Sequence, residues 1–108
     1  MGAYNTLKVC RQCDKCQRDI QLIIQFKYGD TWQYEYEIGD NLKWGGHDIG
    51  IKGAKKVILD GVAKECPFCK AELDYIIHLE NDKIISIELN KGQYDFRNSN
   101  GYYLIIEK

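Results

Sequence analysis

Cys13-Asp14-Lys15-Cys16 and Cys66-Pro67-Phe68-Cys69 constrain this chain more than any other stretch. A C-x-x-C pair puts two sulfurs on one tight turn. Two such turns facing each other supply four thiolates at the corners of a tetrahedron, the donor set of a structural zinc site. The pairs stand about half the chain apart, so closing the site ties together segments distant in sequence.

The pairs belong to a repeat. A shift of 53 positions, Cys13 to Cys66, lays Val9-Cys10-Arg11-Gln12-Cys13-Asp14-Lys15-Cys16-Gln17 over Val62-Ala63-Lys64-Glu65-Cys66-Pro67-Phe68-Cys69-Lys70. The likeness continues with Asp19 over Glu72, Ile20 over Leu73 and Ile24 over Ile77. Cys10-x-x-Cys13-x-x-Cys16 offers two choices of first pair, and the repeat resolves it. Cys10 falls over Ala63 and becomes the spare, leaving Cys13, Cys16, Cys66 and Cys69 as metal ligands.

Around Cys13 to Ile24 and Cys66 to Ile77 the chain resembles the zinc-ribbon group, whose rubredoxin-like knuckles use C-x-x-C turns about a pseudo-twofold. The resemblance implies a zinc-ribbon-like core. Zinc ribbons commonly carry glycine just after the second cysteine of a knuckle. This chain departs from that pattern with Gln17 and Lys70, where a positive φ would cost a non-glycine residue something but is tolerable. Soft thiolate donors in a closed shell favour zinc, with iron in the same cage as the alternative.

Periodicity predicts a mostly β chain. Leu7 to Val9 reads as a short strand, and Ile20, Leu22, Ile24, Phe26 and Tyr28 alternate on one buried face. After Gly29-Asp30, the alternation of Trp32, Tyr34, Tyr36 and Ile38 predicts a hairpin partner for that strand. Leu42 to Gly53 reads as a glycine-rich loop, Val57 to Leu59 as a strand, and Asp60-Gly61 as a turn. Strands follow over Leu73 to Leu79 (chosen over a helix), Lys83 to Asn90 and Tyr102 to Ile106, with turns at Asn81-Asp82 and Asn100-Gly101. The expectation is a single domain over residues 1–108, with a hairpin and glycine loop inserted at about 25–61.

Charge narrows the function classes. With 15 Lys+Arg against 16 Asp+Glu, the chain has no global field to draw in a polyanion. Lys8, Arg11, Lys15 and Arg18 around the first pair are the one local hint of phosphate contact. No run of about 18 apolar residues spans a membrane, and the N-terminus lacks the apolar run of a secretory signal. With C-x-x-C clustering, this places the protein in the reducing cytoplasm. Met1 to Thr6 matches the loose myristoylation pattern, read as coincidence.

Cys66-Pro67-Phe68-Cys69 also resembles the C-P-x-C site of glutaredoxins. That resemblance implies a facing cis-proline, and Pro67 is the chain's only proline. His47-Asp48 has no nucleophile beside it and reads as a solvated loop pair; His78 reads as cross-strand packing or surface. No phosphate-binding glycine motif is present. The expectation is a zinc-binding, non-catalytic module with another protein as partner, met through Trp32, Tyr34, Trp44 and His47, although the aromatic row also suits a core. A zinc-ribbon nucleic-acid binder is the second reading and a rubredoxin-like or thiol redox protein the third.

Overall fold

The alternating runs emerge as strands in a computed structural model that describes residues 4–31, 33–46, 48–71, 73–94 and 103–107. They are β1 (Asn5–Gln12), β2 (Asp19–Phe26), β3 (Gly29–Asp30), β4 (Glu35–Glu37), β5 (Asp48–Ile49), β6 (Lys56–Ala63), β7 (Asp74–Glu80), β8 (Lys83–Leu89) and β9 (Tyr103–Glu107). There is no helix among the described residues, and the mostly β expectation holds. No helix is therefore long and apolar enough to cross a membrane. The strand face expected over Ile20 to Tyr28 is buried at each apolar position, while Asp19 and Gln21 are exposed.

Two antiparallel hairpins form the body, β1 with β2 and β6 with β7. Each carries one cysteine pair at its tip. β2 meets β6 only at Ile24 opposite Ala63 and Gln25 opposite Val62, whereas β9 takes the earlier part of the same β6 edge, from Lys56 to Leu59. β8 lies beyond β7, joined through a turn in which Asn81 and Asp82 have φ of 52° and 64°, the left-handed pair of a tight hairpin.

The sheet curls until its two edges are linked. β4 runs beside β1 at one edge, and the segment just after it crosses to the other. There Gly39 N–H donates to Ile84 O (2.7 Å), Ile84 N–H to Asp40 O (3.0 Å) and Leu42 N–H to Asp82 O (2.7 Å). Inside lie Leu7, Ile24, Phe26, Tyr28, Tyr36, Val57, Leu59, Tyr75, Ile77, Leu79 and Ile84, all buried. Ile58 and Ile76 point the other way and are covered by Tyr94 and Leu104. The radius of gyration, 13.4 Å, matches the roughly 13 Å of one compact 100-residue domain.

Two expectations are corrected. The inserted hairpin does not form: β4 pairs parallel with β1, and no register joins it to β2. Gly29 (φ 75°) ends the β2 direction and Gln33 (φ 59°) breaks the later alternation. The buried Asn5 side chain fixes the crossover by donating to Tyr28 O (3.2 Å) and Asp30 O (3.1 Å) and accepting from Tyr34 N–H (3.1 Å). Asp60-Gly61 is not a turn but the interior of β6. A Cβ on Gly61 would stand 2.5 Å from Ile24 Cγ2 and 3.1 Å from Tyr75 O, so glycine there lets β2 lie against β6. The Asn100-Gly101 turn lies outside the described residues.

Candidate metal centre

Each cysteine pair sits on the same local backbone. Cys13 N–H donates to Arg18 O (2.9 Å) and Gln17 N–H to Cys13 O (2.9 Å); 53 positions on, Cys66 N–H donates to Ala71 O (3.0 Å) and Lys70 N–H to Cys66 O (2.9 Å). Gln17 and Lys70 have φ of 62° and 61°. Both non-glycine residues therefore adopt the left-handed conformation, and the duplication extends from residues to hydrogen bonds.

Facing knuckles bring four sulfurs together. The Sγ atoms of Cys13, Cys16, Cys66 and Cys69 all lie within 4.8 Å of one another. Cys13 to Cys69 is 3.8 Å and Cys16 to Cys66 is 3.6 Å. A tetrahedron of thiolates about 2.3 Å from a central ion has edges of about 3.8 Å, so the donor set and its spacing fit a metal ion held by four cysteines. Cys10 is exposed on β1 and stands outside the cluster, as the repeat implied.

Backbone N–H groups favour thiolates here. Those of Cys16 and Lys15 point at the Cys13 sulfur and bring its pKa down to about 6. Cys66 is lowered likewise, first by the N–H of Cys69. For Cys16 the largest single influence, the Arg18 N–H, acts downward, but burial and the neighbouring sulfurs together push it up to about 11. Four crowded sulfurs without a cation resist full ionisation, and a central cation removes that conflict.

Side chains brace the knuckles in a way the spacing of cysteines did not reveal. Asp14, inside the first knuckle, accepts from Tyr75 Oη (2.7 Å) on β7 and from Arg11 Nη2 (3.0 Å). The Arg11 guanidinium also lies over the Tyr75 ring, 5.6 Å from its centre. Burial first, then the Asp14 carboxylate, push the Tyr75 phenol far above its ordinary pKa. Arg18 of the first knuckle stacks on Phe68 of the second at 4.9 Å. Arg11 and Asp14 are three residues apart in sequence, whereas their link to Tyr75 depends on the fold.

Of the residues expected to meet a partner, Tyr34 and Trp44 are described, and both make ring contacts. The Tyr34 ring lies against Tyr36 (6.2 Å) with Lys43 Nζ above it (4.4 Å), and Trp44 packs edge-on to Tyr28 (5.5 Å). Both rings are partly buried against the core. Trp32 and His47 lie outside the described residues. His78 faces Glu88 across the β7–β8 pair at 3.4 Å, the cross-strand role expected. Of the basic residues around the first knuckle, Lys8 pairs with Glu35 (3.7 Å), Arg11 pairs with Asp14 and Arg18 stacks on Phe68, while the exposed Lys15 bonds the Cys13 sulfur through its backbone N–H. Comparison with protein families, characterised proteins and solved structures finds no match for this chain.

Proposed function

We propose that this domain is a zinc-stabilised, non-catalytic module of the reducing cytoplasm that binds another protein. The observation that carries the metal reading is the four-sulfur cluster, with cross-knuckle spacings of 3.6 and 3.8 Å. Four thiolates close the coordination shell and leave no position for a substrate, so the ion holds the knuckles together rather than reacting. Iron in the same cage is the alternative metal, and visible colour would reveal it.

The protein-partner reading draws on the loop from Trp44 to Gly53. Gly45 N–H donates to Asp48 Oδ1 (2.7 Å) within the loop, while the bonds from Tyr28 Oη to Ile51 O (3.0 Å) and from Gly53 N–H to Asp82 Oδ2 (2.8 Å) anchor its later part to the fold. Ile51 nevertheless remains 39% exposed at its surface. A pre-ordered loop with an outward apolar side chain loses little entropy on binding.

Metal analysis of the purified protein tests the reading. About one zinc per chain is expected, retained in Cys10→Ser and lost in Cys13→Ser. Equal loss from both variants would show that the ligand set is wrong, and a metal-free wild type that binds no added zinc would overturn the metal reading.

A further inference from the structure

The four thiols divide into two unequal kinds, and each kind has a near neighbour across the gap. Cys13 and Cys66, the first of each knuckle, are 1% and 3% exposed. Cys16 and Cys69, the second of each, are partly exposed. The accessible Cys16 lies 3.6 Å from buried Cys66, and the accessible Cys69 lies 3.8 Å from buried Cys13. Both short contacts join opposite knuckles. An oxidant arriving from solvent therefore meets the second cysteine of a knuckle, and a buried sulfur of the other knuckle lies within reach to resolve the product.

We propose that the cluster is a peroxide-sensitive clamp that converts to two cross-knuckle disulfides, Cys13–Cys69 and Cys16–Cys66. The inference rests on the reading of these residues as metal ligands. Hydrogen peroxide is the oxidant. The accessible thiolate attacks one peroxide oxygen, the O–O bond breaks, and a sulfenic acid forms as hydroxide leaves. The buried thiolate across the gap then attacks the sulfenic sulfur, forming the S–S bond and releasing a second hydroxide, which solvent protonates. Two sulfurs lose two electrons and one peroxide gains them, so two peroxides use up all four thiolates and leave no donor for a metal.

The consequence for the fold follows from which sulfurs pair. A disulfide within a knuckle would leave the two hairpins unlinked at their tips once the metal had gone. The cross-knuckle pairs close the chain between residues 56 and 50 positions apart. They join the same two tips that the ion would join, so oxidation expels the metal without freeing the knuckles.

The test uses the full chain in a Cys10→Ser background, which removes the exposed spare thiol. The zinc-loaded protein is titrated with hydrogen peroxide while a zinc-binding dye reads release, and disulfides are mapped by peptide mass spectrometry without reduction. Complete release near two equivalents of peroxide is expected, with Cys13–Cys69 and Cys16–Cys66 peptides and unchanged β-sheet circular dichroism. Intra-knuckle Cys13–Cys16 and Cys66–Cys69 peptides, or sulfinic acids without cross-links, would overturn the proposal. The same map on metal-free protein separates the two ideas: a chain that binds no zinc yet forms the cross-knuckle pairs refutes the metal reading and keeps the pairing. A chain that binds zinc and forms other pairs does the reverse.

Discussion

Asn5 shows how one polar side chain can direct the chain. It is fully buried and uses both amide hydrogens and its oxygen on the backbone of residues 28 to 34. Those backbone groups leave the β2 ladder as the chain crosses over, and Asn5 takes the place of strand partners. Asn5→Leu removes three hydrogen bonds while filling similar volume, so a loss of about 2–4 kcal/mol is expected in urea unfolding. A loss below about 0.5 kcal/mol would mean that the crossover is held elsewhere. Tyr75 makes the comparable link at the metal centre. Tyr75→Phe leaves the Asp14 carboxylate with Arg11 alone, and about 1–3 kcal/mol of stability should go with the 2.7 Å bond. Because Asp14 lies between two ligands, zinc transfer to a competing chelator should also become several-fold faster; an unchanged transfer rate would confine Tyr75 to a packing role.

The two hairpins are alike at their tips and differ in their stems. In the first, the ladder from Asn5 opposite Phe26 runs in constant register to Gln12 opposite Asp19 and on to the Cys13–Arg18 bond. In the second, the Cys66–Ala71 bond and the pairing of Val62 with Asp74 leave one more residue on the β6 side than on the β7 side. The register of the stem therefore does not carry through to the second knuckle as it does to the first. There Ala63 and Val62 meet β2, and Lys64 N–H reaches Ile23 O at 3.0 Å. Gly61 adjoins this junction. Gly61→Ala should cost about 1–3 kcal/mol, because Ile24 can shift but the Tyr75 carbonyl is fixed in the β7 ladder; a neutral result would mean that β2 and β6 can separate freely. Strands and knuckles were legible in the sequence because alternation and C-x-x-C spacing are local. The parallel β1–β4 pairing was not, since Trp32, Tyr34, Tyr36 and Ile38 alternate like any hairpin strand and the deciding contact comes from Asn5. Gly61 misled for a related reason: Asp-Gly is a turn signal, whereas here the missing Cβ serves packing between strands.

At the scale of the molecule, the sheet is joined unevenly around its circumference. Along one side the β2–β6 pairing is short, and the metal centre stands at the end of that seam. On the other side residues 39–42 bond to β8, and the shared core fills the space between the hairpins. Toward the first knuckle this closure stops, leaving an open cleft lined by Arg11, Asp14, Ile87 and Leu89. A chain of this size has apolar burial that very small zinc-dependent domains lack, so it should not need the ion for every contact. If the proposed ion is bound, its removal by a strong chelator under reducing conditions should therefore lower Tm by more than about 10 °C while β-sheet circular dichroism persists at 25 °C, each kcal/mol being about 4 °C or more in a domain this small. Hydrogen exchange should locate the loss: the amides of Cys13, Gln17, Cys66, Lys70 and Lys64 should lose protection first, and those of Leu42 and Ile84 last. Equal loss at all of these amides, with collapse of the sheet signal, would show that the ion organises the core itself, and an unchanged Tm would show that the four sulfurs hold nothing that the fold requires.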